Sequence, residues 1–114
     1  MTDFTDNFLR RIEQVLSMIE RAGIEKLVDV LATTRDGGGR LFLVGSGGGA
    51  GHASHATCDF RKLCNIESYC ATDNVSEITA SINDDGWINW IVGYLAASRF
   101  SKNDCIFVFS VGGG

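Results

Sequence analysis

The sequence has no cluster of Lys and Arg. Ten basic residues stand against fourteen acidic ones, for a formal net charge of −4. A nucleic-acid surface is built from concentrated positive charge, and no RNP-like aromatic motif is present, so no nucleic-acid partner is expected. Long apolar runs are also missing. Nothing approaches the roughly 20 apolar residues of a membrane-spanning helix. The N-terminus, MTDFTDNF, is acidic and has no apolar signal core. Both absences point to a cytoplasmic protein with no membrane partner. Cysteine is sparse. The four thiols, at positions 58, 64, 70 and 105, form no CxxC pair, which excludes zinc-ribbon and thioredoxin-type motifs. They read as reduced, mostly buried, small apolar residues.

What remains is an ordinary globular chain. Its 114 residues suit one domain, and 45% of them are hydrophobic, enough to bury a core. Phe4, Phe8, Ile12, Val15, Leu16 and Ile19 recur at helical spacing, predicting a helix from Asp3 to Arg21 broken by Gly23. Ile24 to Thr34 reads as a second helix. A glycine loop over 36–39 then leads to a strand over Arg40–Val44. That strand is apolar after Arg40, as a strand covered on both faces should be. A helix over Ala50–Leu63, a strand over Glu67–Ala71 and a helix over Asn74–Ile82 follow. Next come a turn at Asn83–Gly86, an apolar helix over Trp87–Phe100 and a strand from Cys105 to Ser110. Strands alternating with helices predict an α/β fold with a parallel sheet. The expected organisation is a helical hairpin over 1–36 and an α/β domain over 37–114.

Leu41 to Gly51 reads LFLVGSGGGAG and carries the most information. An apolar run, a glycine-rich stretch and a helix-compatible segment spell strand, tight loop, helix. Loop amides and the helix N-terminus of such a unit favour an anion. Glycines let the backbone turn sharply and a ligand come close. A phosphate-bearing ligand over Ser46, Gly47, Gly48 and Gly49 is the functional reading; a plain turn is the structural one. Gly45-x-Gly47-x-x-Ala50 also fits a dinucleotide pattern formally, and Asp73 after the second strand would then grip a ribose. The last strand runs into Ser110, Val111, Gly112 and Gly113, a second glycine loop after a strand. A fully apolar strand belongs inside a sheet, so further strands of a larger α/β domain are expected beyond it.

Several polar residues stand near these loops. His55 and Asp59 are four apart on a predicted helix and share a face, a spacing that suits joint metal binding or a local hydrogen bond. His52, near the same helix start, could face the loop. Asn83 and Asp84 lie in an Asn-Asp-Asp-Gly segment that is either an ordinary turn or part of a site. Ser46 and Ser110 can offer hydroxyls to a phosphate or cap the backbone. Trp87, Trp90, Ile91 and Leu95 form an apolar face suited to a core or a subunit interface.

Four stretches together resemble the sugar isomerase (SIS) domain, and within it the phosphoheptose isomerase branch. They are the paired N-terminal helices, VGSGGGAGHASHATCDF, TDNVSEITASINDDG and FVFSVGGG. The resemblance implies a Rossmann-like, three-layer αβα domain, here ending after its third strand. It implies isomerisation of sedoheptulose 7-phosphate to a heptose 7-phosphate through an enediol, which needs an acid and a base near both carbons. Asp59 and Asp84 would be the catalytic carboxylates, and His55 with Asp59 would hold zinc. Ser46 to Gly49, His52, Asn83, Asp84 and Ser110 to Gly113 would contact the phosphorylated ketose. No nucleotide cofactor is implied. A homo-oligomer, a tetramer joined through the N-terminal helices, is. The sequence departs from the branch at five residues. Ser46 stands for Asn, Gly49 for a phosphate-binding Ser, Asp59 for Glu, and Val111 and Gly112 for hydroxyl residues. A non-catalytic SIS-type module that binds a sugar phosphate is the alternative those departures favour.

Overall fold

A computed structural model describes the backbone of residues 2–112 and the side chains of residues 3–112. In chain order the elements are α1 (Thr2–Met18), α2 (Arg21–Asp36), β1 (Leu41–Gly45), α3 (Gly48–Cys64), β2 (Ser68–Cys70), α4 (Val75–Asp85), α5 (Trp90–Ala97) and β3 (Cys105–Phe109). Two compact units emerge, Met1–Val30 and Leu31–Gly114, with the boundary inside α2.

In the first unit residues 3–30 are exposed throughout. Phe4 and Phe8 stack one turn apart, with ring centroids 6.3 Å from each other. The apolar stripe predicted for this helix is therefore present but faces solvent. The helix break falls at Ile19–Glu20 rather than at Gly23, which is accommodated inside α2. Nothing crowds that glycine, and a single Gly costs a helix only about 1 kcal/mol.

The second unit is a parallel three-stranded sheet in the order β2-β1-β3. Leu41 to Leu43 pair with Ser68 to Cys70 on one side, and Leu41 to Gly45 pair with Cys105 to Phe109 on the other. Every residue of β1 is buried, because the central strand has a helix layer on each face. Alternation assigns the faces. Leu41 and Leu43 join Ala53, Ile66 and Cys70, with Phe60 of α3 and Leu31 of α2 packed against them. Val44 joins Ala71 and Trp90, with Ile78 and Ile82 of α4 and Tyr94 of α5 alongside. The expected α/β class and parallel sheet are thus present. Burial of each large side chain in these clusters contributes on the order of 1.5–3 kcal/mol.

Local chemistry sets the helix ends. Asn65 adopts the left-handed conformation (φ 53°) that closes α3. Asn74 caps α4 by accepting from the Glu77 amide at 3.1 Å. The predicted turn at 83–86 is instead the last turn of α4, and Gly86 (φ +82°) terminates it. The apolar helix is correspondingly shorter, because residues 87–89 form a turn and α5 begins at Trp90. The helix continues through Asn83–Asp85 despite the weak helix propensity of Asn and Asp, because nothing before Gly86 interrupts the backbone ladder.

One side-chain link ties the lower end of the sheet together. Arg40 enters β1 and Asp104 enters β3. The Arg40 guanidinium donates to Asp104 through Nη2–Oδ2 at 2.8 Å and Nε–Oδ1 at 3.2 Å. It also donates to the carbonyls of Ser98 and Arg99 beyond α5. The Asp104 side chain is 3% exposed, and accepts from the Arg40 and Ser101 amides as well. These bonds hold its carboxyl at about 2, below the usual 3.8.

Candidate functional site

A larger cavity, about 740 Å³, is lined by Arg40, Arg61, Tyr69, Asp73 and Glu77, away from both glycine loops. The topology makes a second crevice at those loops. From β1 the chain runs through α3 on one face to β2, then through α4 and α5 on the other face to β3. The path reverses direction at β1, so the loops after β1 and β3 part outside the carboxyl ends of those strands. Ligands of open α/β sheets bind at such a switch point. A cavity of about 350 Å³ lies there, lined by Gly45 and Ser46 of the first loop and Ser110 to Gly112 of the second. Val44, Val108, Phe109, Trp87, Trp90 and Ile91 complete its lining. The two glycine loops therefore meet, as a shared ligand would require.

The first loop is built by close approach. A Cβ on Gly45 would lie 2.2 Å from the Gly49 carbonyl carbon, and one on Gly49 would lie 2.7 Å from the Phe109 oxygen. These two glycines bring the start of α3 against the ends of β1 and β3. Gly47 has φ 54° and ψ −118°, a backbone that glycine alone takes readily. It stands at the N-cap with no side-chain cap. The first-turn amides of α3 thus lack the side-chain acceptor that Ser or Asp would supply there. Gly48 is exposed and uncrowded, whereas Gly49 is buried. Among the four residues expected to contact a phosphate in this loop, Ser46 lines the cavity, Gly47 and Gly48 are exposed without lining it, and Gly49 serves packing.

The other expected site residues are dispersed. His52 is exposed on α3, with its ring 6.2 Å from that of Phe109, and does not line the crevice. His55 and Asp59 do come together, with Nε2 3.4 Å from Oδ2, and both are well exposed. Zinc takes three or four protein ligands. Among the described residues no group of three or more His, Cys, Asp or Glu is placed to hold a metal. This pair alone does not complete a zinc site. Asn83 and Asp84 lie exposed at the end of α4, where Asn83 Nδ2 donates to Asp84 Oδ1 at 3.0 Å. Asp59 and Asp84 sit on helices that pack on opposite faces of the sheet. Gly113 falls outside the described residues.

The cysteines are free, but the expectation of mostly buried thiols is not met: only Cys70 is buried, Cys64 and Cys105 are half-buried and Cys58 is exposed. No helix among the described residues is long and apolar enough to cross a membrane. Sequence reasoning missed two features. Trp87 lines the crevice rather than the core. The Arg40–Asp104 link joins residues 64 apart in the chain, and no local pattern announces it. No protein-family model matches the chain, and no curated protein matches it significantly.

Proposed function

We propose that the crevice binds the phosphate of a phosphorylated ketose, and that the protein is an SIS-type aldose–ketose isomerase of the cytoplasm resembling phosphoheptose isomerase. Its reaction would convert sedoheptulose 7-phosphate to D-glycero-D-manno-heptose 7-phosphate. One observation carries the reading: two glycine loops, each with a serine, flank one cavity at the switch point beside the uncapped start of α3. Amides and hydroxyls there suit an anion without any basic side chain. Ser46, Gly47, Gly48, Ser110 and Gly112 would hold the phosphate.

In the proposed chemistry a carboxylate takes a proton from C1 of the ketose. The enediol is then reprotonated at C2, while the hydroxyl proton moves from O1 to O2. Asp59 and Asp84 are assigned these transfers on the resemblance. His55 and Asp59 would supply two donors to zinc, which would polarise the carbonyl; the remaining donors would come from a second copy or from outside the described residues. Asp59 and Asp84 lie in different layers, each with a local partner, and this favours a second reading: a module that binds a sugar phosphate without turning it over.

A thermal-shift titration with sedoheptulose 7-phosphate, with and without zinc, tests both. The expected result is stabilisation by the phosphosugar and none by unphosphorylated sedoheptulose or NAD. Stabilisation by NAD alone would replace the reading with a dinucleotide site. Binding without aldose formation in a coupled turnover assay would select the non-catalytic module.

The exposed stripe of α1 supports self-association, a tetramer in the proposal. Solvated Phe4, Phe8, Ile12 and Val15 are costly to leave uncovered. Phe8→Glu with Ile12→Glu is expected to yield a monomer by light scattering, with an unchanged far-UV spectrum. A wild-type chain that is already monomeric at micromolar concentration would sink this part.

A further inference from the structure

The crevice has an aromatic lining that the phosphate reading leaves unused. Trp87 stands in the turn after Gly86 and lines the cavity together with Ser46 and Ser110. The residue is 58% exposed. Beneath it lies Trp90, 3% exposed, with ring centroids 5.9 Å apart and planes tilted by 51°. Trp90 is itself fixed in the cluster with Val44 and Ala71. Trp87 therefore rests on a rigid support and still presents open ring surface toward the cavity. An indole left in water forgoes most of its burial energy, which a ligand that covers it would recover.

None of the residues lining the crevice is charged. The loops offer amides and hydroxyls, and Trp87, Ile91 and Val108 offer apolar surface. That combination matches a ligand with an anionic head and a body having C–H faces and hydroxyl edges. Bare phosphate would use only the polar groups. A nucleobase would also stack on an indole, and the NAD arm of the thermal-shift titration separates the two.

We infer that Trp87 is a specificity-determining residue: its indole is the platform for the carbon skeleton of a phosphorylated sugar whose phosphate lies on the two glycine loops. The inference rests on the phosphosugar reading and adds to it the group that separates a phosphosugar from phosphate. Trp90 acts through Trp87 as its support.

Calorimetric titrations of the wild-type chain, Trp87→Ala and Trp87→Phe with sedoheptulose 7-phosphate and with inorganic phosphate test it. Trp87→Ala is expected to weaken sedoheptulose 7-phosphate by about tenfold or more and to leave inorganic phosphate unchanged. Trp87→Phe keeps a ring and should stay within roughly threefold of wild type. Wild-type tryptophan emission should change with the phosphosugar and not with inorganic phosphate, a readout that needs no variant to fold. Equal loss of both probes in Trp87→Ala, no loss of either, or an emission change common to both probes overturns the platform and leaves the phosphate site standing. A wild-type chain that binds neither probe overturns the phosphate reading and the platform with it.

Discussion

Asp104→Ala is expected to destabilise the protein by about 1–3 kcal/mol, chiefly by leaving donors of the Arg40–Asp104 link without their acceptor. The Arg40 side chain is 26% exposed and is committed to Asp104 and two carbonyls, so water replaces the lost carboxylate poorly. The same carboxylate also accepts the Arg40 and Ser101 amides, which become orphans. Denaturant unfolding of the two chains checks the value. Arg40→Met with Asp104→Leu should recover much of the loss, because replacing both partners removes the stranded charge.

A pH dependence follows, and its sign is fixed. The folded carboxyl titrates at about 2, against 3.8 for an unperturbed group. A depressed carboxyl contributes stability that is complete above the unfolded value and lost as pH falls through the folded one. Wild type should therefore lose about 2 kcal/mol between roughly pH 4.5 and pH 2 from this group, and Asp104→Asn should lack that component. Equal acid sensitivity in the two proteins would show that the Arg40–Asp104 link is not what holds the sheet at low pH.

Gly45→Ala is the second large effect. The new methyl would sit 2.2 Å from the Gly49 carbonyl carbon and 2.6 Å from the Ala50 nitrogen. Both are backbone atoms at the start of α3, so relief requires α3 to leave the end of β1. A loss of roughly 3 kcal/mol or more is expected, at the upper end for overpacking. Gly49→Ser should also destabilise, by about 1–3 kcal/mol, since its Cβ would meet the Phe109 oxygen at 2.7 Å. This substitution restores the hydroxyl that the resemblance leads one to expect, and it should not strengthen phosphate binding. Gly48→Ser is the control, because a Cβ there meets nothing within 4 Å. Melting curves of the three variants decide the matter; a Gly45→Ala chain as stable as Gly48→Ser would mean that α3 docks more loosely than the geometry requires.

Much of the fold was legible because local rules and tertiary demands agreed. Continuous apolar character after Arg40 announced a strand covered on both faces, and β1 is buried at every residue. Helical spacing announced α1, and the glycine stretch marked the loop before α3. The end of α4 was misread because Asn and Asp favour turns in general, while the actual stop is the positive φ of Gly86.

The site was legible only in part, for a different reason. Periodicity places His55 beside Asp59 within one helix, and they do pair at 3.4 Å. It cannot say which face of the sheet a helix covers, so it could not separate Asp59 from Asp84. Nor could it tell that Trp87 would turn toward the crevice while Trp90, three residues on, became core. Local sequence determined the strands, the helices and the glycine loops, because these depend on neighbours within a few residues. The order β2-β1-β3, the meeting of the two loops, the Arg40–Asp104 link and the packing role of Gly49 were decided by tertiary structure alone. Each depends on contacts between residues distant along the chain, whose energies appear only once the sheet has assembled.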